Sequence, residues 1–584
     1  MNEKEQLQKA LKLHQAGELV DAAEIYRAIL ETNSNHPDAL HLLGVILQAA
    51  GDLEAAITLI TRSTELAPDF VASWVNLGNA LQLDGRLEDA VDAFKRAMEI
   101  APDQAEAANN LASALNELER FDEAIEACEQ AIKLTPGLGV AHSNLGNALA
   151  GLERMDEAIA SYKRALEINP ADAAAYYNLG NAYSNLNDLE GALEQYRKSV
   201  ALDNANAEKH YNFANTALAL DMFDDAVEAF GKAIEIDPDY IDAHCNLGAT
   251  LQKMGRTGDA IASLERAITD EPDSPDLHWN LSLALLQHGD YGRGWAEYEW
   301  RWKTPTFLAF ARDFGKPRWQ GEDLTGKTIF IDTEQGFGDG IMFSRYAPLV
   351  AERGGRVILE CRPQLNRLFE SLDGVVELVD LGAEPPEYDL HAPLMSLPYL
   401  FETTMETLPA SVPYLTVPEG TPVDSRIAEA EGLSIGIVWA GSPTRVDNHK
   451  RSCELADFAP LFAVPGTRFF SLQVGPFQDQ LNDADNSAGV IDLADDLNDF
   501  GDTAAAIQAL DLVISVDTGV LHLAGALGKT AWSLMSKPTG FLWQDERADS
   551  AWYPTLKLFR QSDPGDWGPV FDAAAKELAA LAKN

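Results

Sequence analysis

Apolar residues in the first half of the chain recur in short helical stretches that repeat every 34 residues. Stepping by that interval from Trp74, Leu77, Gly78, Ala90, Phe94, Ala97 and Pro102, similar residue types return at most positions. The small position reads Ala56, Ala90, Ala124, Ala158, Ala192, Ala226 and Ala260. The proline position reads Pro68, Pro102, Pro136, Pro170, Pro238 and Pro272, and fails only at Asn204. The pattern predicts two short antiparallel helices per unit, in register through seven units. Gly78, Gly146, Gly180 and Gly248 let the paired helices approach, Phe94, Tyr162, Tyr196 and Phe230 fill the space beside them, and each proline stops the second helix. A less regular unit precedes the series, around Ala22 and Tyr26, with Pro37 about three residues late. A decaying one follows from His278 to Arg301, as expected of end units that cap a stack against water.

Between Asp290 and Gly326 this pattern gives way to aromatic and basic residues: Tyr291, Trp295, Tyr298, Trp300, Arg301, Trp302, Arg312, Lys316, Arg318 and Trp319. So many large rings are costly to leave in water, so the segment reads as a rigid junction against the next domain. Beyond it, short β-branched runs alternate with helical patterns. Thr328 to Asp332, Arg356 to Cys361 and Val376 to Leu381 read as strands of one block. Ser434 to Ala440, Arg468 to Val474, Leu512 to Asp517 and Lys529 to Leu534 form a second, after a Pro-rich stretch from Leu408 to Val423. Strands separated by helices predict two doubly wound parallel lobes with a cleft between them. The expected divisions are a helical solenoid at 1–300, a junction at 301–325, a first lobe at 326–425 and a second at 432–584.

With 92 acidic against 44 basic residues, the net charge of -48 would repel a phosphate backbone, so nucleic acid is not an expected partner. The four cysteines, Cys128, Cys245, Cys361 and Cys453, are far apart without a CxxC pair, and neither a disulfide framework nor a zinc site is expected. The segment Met1 to Leu11 is charged and helix-forming, and no run is long enough to cross a membrane. A cytoplasmic location is expected.

Three strand-to-helix turns carry candidate chemistry. Asp332-Thr333-Glu334-Gln335-Gly336-Phe337-Gly338-Asp339-Gly340 follows a strand and precedes the helical pattern Ile341 to Leu349; its glycines, Gly336 and Gly338 among them, allow close backbone approach, and Asp339 is either a helix cap or a reactive carboxylate. The second runs from Gly441-Ser442-Pro443 to Lys450-Arg451-Ser452, either surface charge on a loop or cations set for a diphosphate. In the third, a strand ends in Asp517-Thr518-Gly519 and a small-residue helix containing His522 begins at once, so amide groups and a helix dipole converge on one place.

The block from Gly326 onward resembles the bacterial heptosyltransferase-like glycosyltransferases, whose Gly-Asp turn and Asp-Thr-Gly-x-x-His-Leu-Ala-x-Ala-Leu-Gly turn match Gly338-Asp339 and Asp517 to Gly528. The 34-residue units resemble tetratricopeptide repeats. The junction, Gly294-Trp295-Ala296-Glu297-Tyr298-Glu299-Trp300-Arg301-Trp302 and then Trp319-Gln320-Gly321-Glu322, is similar to bacterial fusions of such repeats with this domain. The organisation is also similar to O-linked N-acetylglucosamine transferases and repeat-containing flagellin glycosyltransferases. The resemblance implies an all-α tetratricopeptide superhelix followed by an α/β GT-B domain with two Rossmann-like lobes. It further implies an inverting, metal-independent protein glycosyltransferase that needs no cofactor beyond a nucleotide-sugar donor. Asp339 would be its general base. Gly336, Gly338, Gly441, Ser442, Lys450, Arg451, Ser452, Gln473, Asp517, Thr518, Gly519 and His522 would hold the donor. The second turn departs from related fusions, which more often place an Asn after the glycine and another before the Arg-Ser.

Asn76, Asn110, Asn144, Asn178, Asn212, Asn246 and Asn280 recur at one register of the units. A carboxamide has two donors and an acceptor, so such a row can pair with the backbone of an extended acceptor peptide, flagellin being the one the resemblance implies. It resembles the asparagine ladder of the O-linked N-acetylglucosamine transferases; the alternative is hydrogen bonding within the array. Two other functions fit the sequence: a repeat scaffold or chaperone with an inactive transferase domain, and a transferase acting on lipopolysaccharide.

Overall fold

A computed structural model describes residues 2–309, 311–334, 336–445, 448–482, 489–544 and 547–583. Gln335, Val446 and Asp447, which belong to two of the turns above, lie outside the described residues. The chain divides into two compact units, Met1–Pro238 and Asp239–Asn584.

The first unit is a run of helix pairs. First helices begin at Glu3, Pro37, Val71, Ala105, Gly139, Ala173 and Ala207, each 34 residues after the last, and second helices at Leu19, Leu53, Leu87, Phe121, Met155, Leu189 and Phe223 keep the same spacing. The initial unit is therefore fully in register, a correction to its irregular reading. Pro37 does not arrive late as a helix stop: it is the first residue of the next helix, where its missing N–H costs nothing.

Packing explains the glycines. A Cβ on Gly78 would lie 2.5 Å from the Phe94 ring, one on Gly146 2.5 Å from Tyr162, and one on Gly180 2.7 Å from Tyr196. Cys128 takes the ring position in its own unit as a buried small hydrophobe, its thiol pushed up to about 12 by burial. Each pair also needs one left-handed residue between its helices. Glycine supplies it at Gly17, Gly51 and Gly85, whereas Glu119, Glu153, Asn187 and Asp221 adopt φ of 57–59°.

The second unit opens with two further pairs in the same register, Ile241–Lys253 with Thr257–Asp270, then Pro275–His288 with a shortened Tyr291–Tyr298. The expected boundary at residue 300 marks a change of sequence pattern, whereas the second compact unit takes in the last two pairs, of which the terminal one packs into the α/β core. Trp295 meets Phe343 and Trp552 edge-on at 5.7 and 6.4 Å, and Tyr291 accepts a hydrogen bond from the Trp552 indole at 3.0 Å. Trp295, Tyr291, Tyr298 and Trp319 are all buried there.

Two parallel sheets follow. The strands are β1 (Thr328–Asp332), β2 (Arg356–Cys361), β3 (Val375–Asp380), β4 (Leu390–Pro393), β5 (Leu433–Val438), β6 (Thr467–Ser471), β7 (Ile491–Asp492), β8 (Leu512–Val516), β9 (Ala531–Met535) and β10 (Leu556–Arg560). The first sheet has the order β3-β2-β1-β4 and the second β10-β9-β8-β5-β6-β7. Each strand order reverses direction once, between β1 and β4 and between β8 and β5, and such switch points open a crevice at the strands' carboxyl ends. The seven expected strands are present, with ends displaced by at most three residues. β4, β7 and β10 were not anticipated: the first is short and ends in proline, the second has two residues, and the third is a half-polar edge strand. The helical pattern after the first turn is two helices, Phe337–Phe343 and Tyr346–Glu352, separated at Ser344 and Arg345.

Arg345 fastens the lobes together. Its buried guanidinium donates to the carbonyls of Pro409 (3.0 Å) and Trp552 (2.9 Å) and to the Tyr414 hydroxyl (3.1 Å). The Pro-rich stretch thus runs over the second lobe, the Tyr414 N–H donating to the Ala526 carbonyl at 3.1 Å.

Candidate functional site

The first turn leaves β1 at one switch point; the second and third leave β5 and β8, the neighbours at the other. The helices that begin after the first and third turns pack on each other, closely enough that a Cβ on Gly338 would lie 2.8 Å from the His522 ring. This brings Asp339 into the electrostatic field of His522, Asp517 and Arg445. Burial raises the Asp339 carboxyl above its usual value and the Asp517 charge adds to this, while His522 and the Gly336 N–H, 3.3 Å from Oδ2, oppose it. A carboxylate poised higher than normal suits proton abstraction near neutral pH.

Asp517 is set the opposite way. Burial alone would raise it, but the Arg451 guanidinium and the His522 imidazole outweigh that and hold it well below the usual carboxylate range. Arg451 donates to the Asp517 carboxylate and, at 3.3 Å, to its carbonyl. His522 is buried, with Nδ1 3.0 Å from the Tyr553 hydroxyl and Nε2 3.6 Å from Asp517. Two carboxylates driven apart in this way is an arrangement in which one serves as base and the other stays an ionised support. Thr518 precedes the helix Gly519–Ala526 with its hydroxyl 3.0 Å from that of Ser515, and Phe337 from the first lobe approaches Gly519 to within 3.3 Å of a Cβ placed there.

The other expected donor residues divide into supports and exposed groups. Gln473 is buried, and its oxygen accepts the N–H groups of Trp439 (3.2 Å) and Ala440 (2.9 Å) while its amide donates to the Val474 carbonyl (3.3 Å). It holds the start of the second turn from beneath. The Ser452 hydroxyl accepts from the Gly441 N–H at 3.2 Å and donates to Asn448 at 3.1 Å, and a Cβ on Gly441 would collide with that Asn448 oxygen. Ser442 and Lys450 are exposed, Ser442 with its hydroxyl 2.9 Å from Thr444. Gly336 and Gly338 bring the first turn to the crevice.

Glu334, a member of the first turn to which the sequence assigns no role, belongs to the site as well. It is buried beside Arg301, which reaches it from just beyond the terminal repeat helix at 3.1 and 3.0 Å, and it also accepts the Met395 N–H at 3.2 Å. No spacing rule links residues so far apart; the unusual density of rings and cations around Arg301 was the available signal.

In the repeats, the asparagine row is half-buried and joins neighbouring units. Asn110 donates to Asn79 (3.0 Å), Asn144 to Asn109 (3.0 Å), Asn178 to Asn147 (2.9 Å) and Asn212 to the Tyr177 hydroxyl (2.6 Å), while Asn76 lies 2.7 Å from His41. A second row, Asn79, Asn147 and Asn181, supplies acceptors, and the Tyr162 and Tyr196 hydroxyls donate to two of them. Asn246 and Asn280 hold the same register in the second unit. From Asn76 to Asn212 one amide N–H of each is thereby engaged inside the array, so hydrogen bonding within it is one use of the row. A groove of about 930 Å³ between successive second helices of the first unit is lined by Ile57, Arg62, Trp74, Leu77, Arg86 and Arg96 among others.

Among the described residues, no helix is long and apolar enough to cross a membrane, and no three His, Cys, Asp or Glu side chains gather as for a metal ion.

Stretches 13–80, 69–137, 152–187, 173–206, 218–255 and 245–299 match the tetratricopeptide repeat family. The first half of the chain is a tetratricopeptide-repeat superhelix, and an α/β region of parallel sheets follows it. Protein FlbA of Caulobacter vibrioides is 28% identical over 327 residues, covering 51% of this chain and 54% of that protein. The chain thus spans about half the length of this curated relative. Among solved structures, a chain of the Cut9–Hcn1 hetero-tetramer of APC/C is 20% identical with a TM-score of 0.35, covering 48% of this chain and 55% of that one. YrrB, described as a tetratricopeptide-repeat protein with an unusual peptide-binding site, is 27% identical with a TM-score of 0.26, covering 32% of this chain and 95% of that one.

Proposed function

We propose that this protein is a glycosyltransferase that moves a sugar from a nucleotide donor to a Ser or Thr hydroxyl of a protein acceptor held by its repeats, flagellin being the favoured acceptor. The observation that carries the reading is the packing of the Asp339 turn against the helix of His522, with Arg451 paired to Asp517 just before that helix.

In this reaction Asp339 takes the proton from the acceptor hydroxyl as its oxygen attacks the anomeric carbon. The bond from that carbon to the leaving phosphate breaks on the opposite face, so configuration inverts. The departing charge is met by the amino end of the helix Gly519–Ala526 and by Arg451 and Lys450, groups that stabilise an anion where it develops. Gln473 and Ser452 keep the second turn in shape for this. The repeats contribute what a small sugar acceptor would not need, an extended array with amide groups along one register, and this favours a polypeptide over lipopolysaccharide as acceptor. The site of action under this reading is the cytoplasm.

The test is intact-mass measurement of flagellin and of other candidate acceptors after incubation with the protein and UDP-N-acetylhexosamines or CMP-nonulosonates. A gain of one sugar mass per modified hydroxyl is expected. No gain with any donor in the panel refutes the transferase reading and leaves the repeat scaffold as the function.

A further inference from the structure

The Arg301 guanidinium is completely buried and all five of its N–H groups are used. Nε and Nη2 form a fork on Glu334 at 3.1 and 3.0 Å; Nη1 donates to Glu299 at 2.7 Å and to the Tyr298 carbonyl at 3.1 Å; Nη2 also donates to the Ser396 hydroxyl at 2.9 Å. The Tyr298 and Trp302 rings pack against it, their centroids 4.6 and 4.5 Å from its central carbon. A planar cation held this way has one orientation, and so does whatever it grips.

What it grips is the switch point of the first lobe. Glu334 follows β1 and Ser396 follows β4, the two strands between which the order reverses, and Glu334 ties them further by accepting the Met395 N–H. Five residues after Glu334 on the same turn stands Asp339, and the Gly336 N–H between them donates to its carboxylate. Tyr298, from the last repeat helix, lies within the electrostatic reach of Asp339 as well as of Glu334.

The geometry points to Arg301 as a positioning residue: it locks the turn that carries Asp339 to the end of the repeat array, making the terminal helix pair Pro275–Tyr298 part of the transfer site rather than a tether for it. This deepens the transferase reading and rests on it for the role of Asp339, but the mechanical claim stands separately. Arg301 fixes Glu334 and Ser396, which follow β1 and β4, to the segment just beyond the last repeat helix.

The experiment uses the full chain with R301K, which keeps the charge but loses the fork, and E334Q, which keeps an acceptor but loses the ion pair. Backbone amide exchange across 336–343 is expected to quicken at least tenfold in both, while the segment 71–134 exchanges as in wild type. If R301K and E334Q do not fold, the paired variant R301M/E334Q removes both charges together and carries the same measurement. Unchanged exchange in a folded variant overturns the inference. Where wild type transfers sugar, kcat of the variants is expected to drop at least tenfold with donor KM unchanged, and an unchanged kcat likewise overturns it. A wild type that transfers nothing refutes the transferase reading alone, and the exchange result still decides whether Arg301 holds the turn.

Discussion

The two compact units solve the same problem, burying apolar surface, at different ranges along the chain. In Met1–Pro238 the contacts that define the fold join neighbours: the bond from Asn178 to Asn147 spans 31 positions and that from Asn144 to Asn109 spans 35. In Asp239–Asn584 the decisive contacts are distant, Arg345 to Trp552 across 207 positions and Arg451 to Asp517 across 66. A repeat array spreads its stability over many equivalent local terms, so loss of one is a local injury. A site built from two switch points has few terms and no spare.

That contrast can be broken first at Arg451. Arg451→Met leaves Asp517 as a mostly buried carboxylate without its cation, and on the order of 3 kcal/mol of stability should be lost at pH 7. Because the folded pKa of Asp517 lies below its ordinary 3.8, the lost contribution is present above that value and disappears as pH falls through the folded one. Urea melts at pH 7 and pH 3 should therefore show the variant's deficit shrinking on acidification; a constant deficit contradicts the assignment.

In the repeats, Gly146→Ala forces a methyl onto the Tyr162 ring and should cost about 1–3 kcal/mol by overpacking. Amide exchange should rise in the flanking helix pairs alone. A uniform rise through the whole chain would contradict the local picture. Asn178→Ala should cost about 1 kcal/mol for the bond to Asn147, seen as an earlier urea midpoint. An unchanged midpoint with weakened peptide binding would instead favour a peptide-facing role for the row. Glu153→Gly, at φ 59°, relieves a left-handed side chain and should stabilise by about 0.5–1 kcal/mol; a lower melting temperature would contradict that reading of the turn.

The repeats were legible because one packing solution is written many times, so Ala56 to Ala260 reinforce each other and Asn204 does no harm as a single exception. The left-handed series at Gly17, Gly51 and Gly85 was equally periodic and went unused because Glu119 to Asp221 interrupt it with side chains that hide the shared backbone need. In the α/β unit, buried strands such as β5 and β8 announced themselves by mainly apolar runs, while β7 and β10 lie at sheet edges where half-polar patterns carry little information. Asp339, Asp517 and His522 were visible as turn residues next to strands. Gln473 props the backbone of the second turn, a use that a polar residue after a strand signals no differently from contact with a ligand. The pairing of Arg301 with Glu334 was not legible because a contact between a repeat end and a β1 turn exists only in the folded topology.

The most direct test of the transferase account is the rate of sugar transfer by wild type and Asp339→Asn, measured from pH 5 to 8 with melting temperatures taken alongside. Since the folded Asp339 pKa lies above its ordinary 3.8, ionising this group costs the folded state as pH rises past that value, and Asn removes the cost. The account predicts that the variant melts no lower than wild type near neutral pH and transfers sugar about 10²–10⁴-fold more slowly, and that only wild type loses rate as acid protonates the base. A folded Asp339→Asn protein that transfers sugar at the wild-type rate across this range would contradict it.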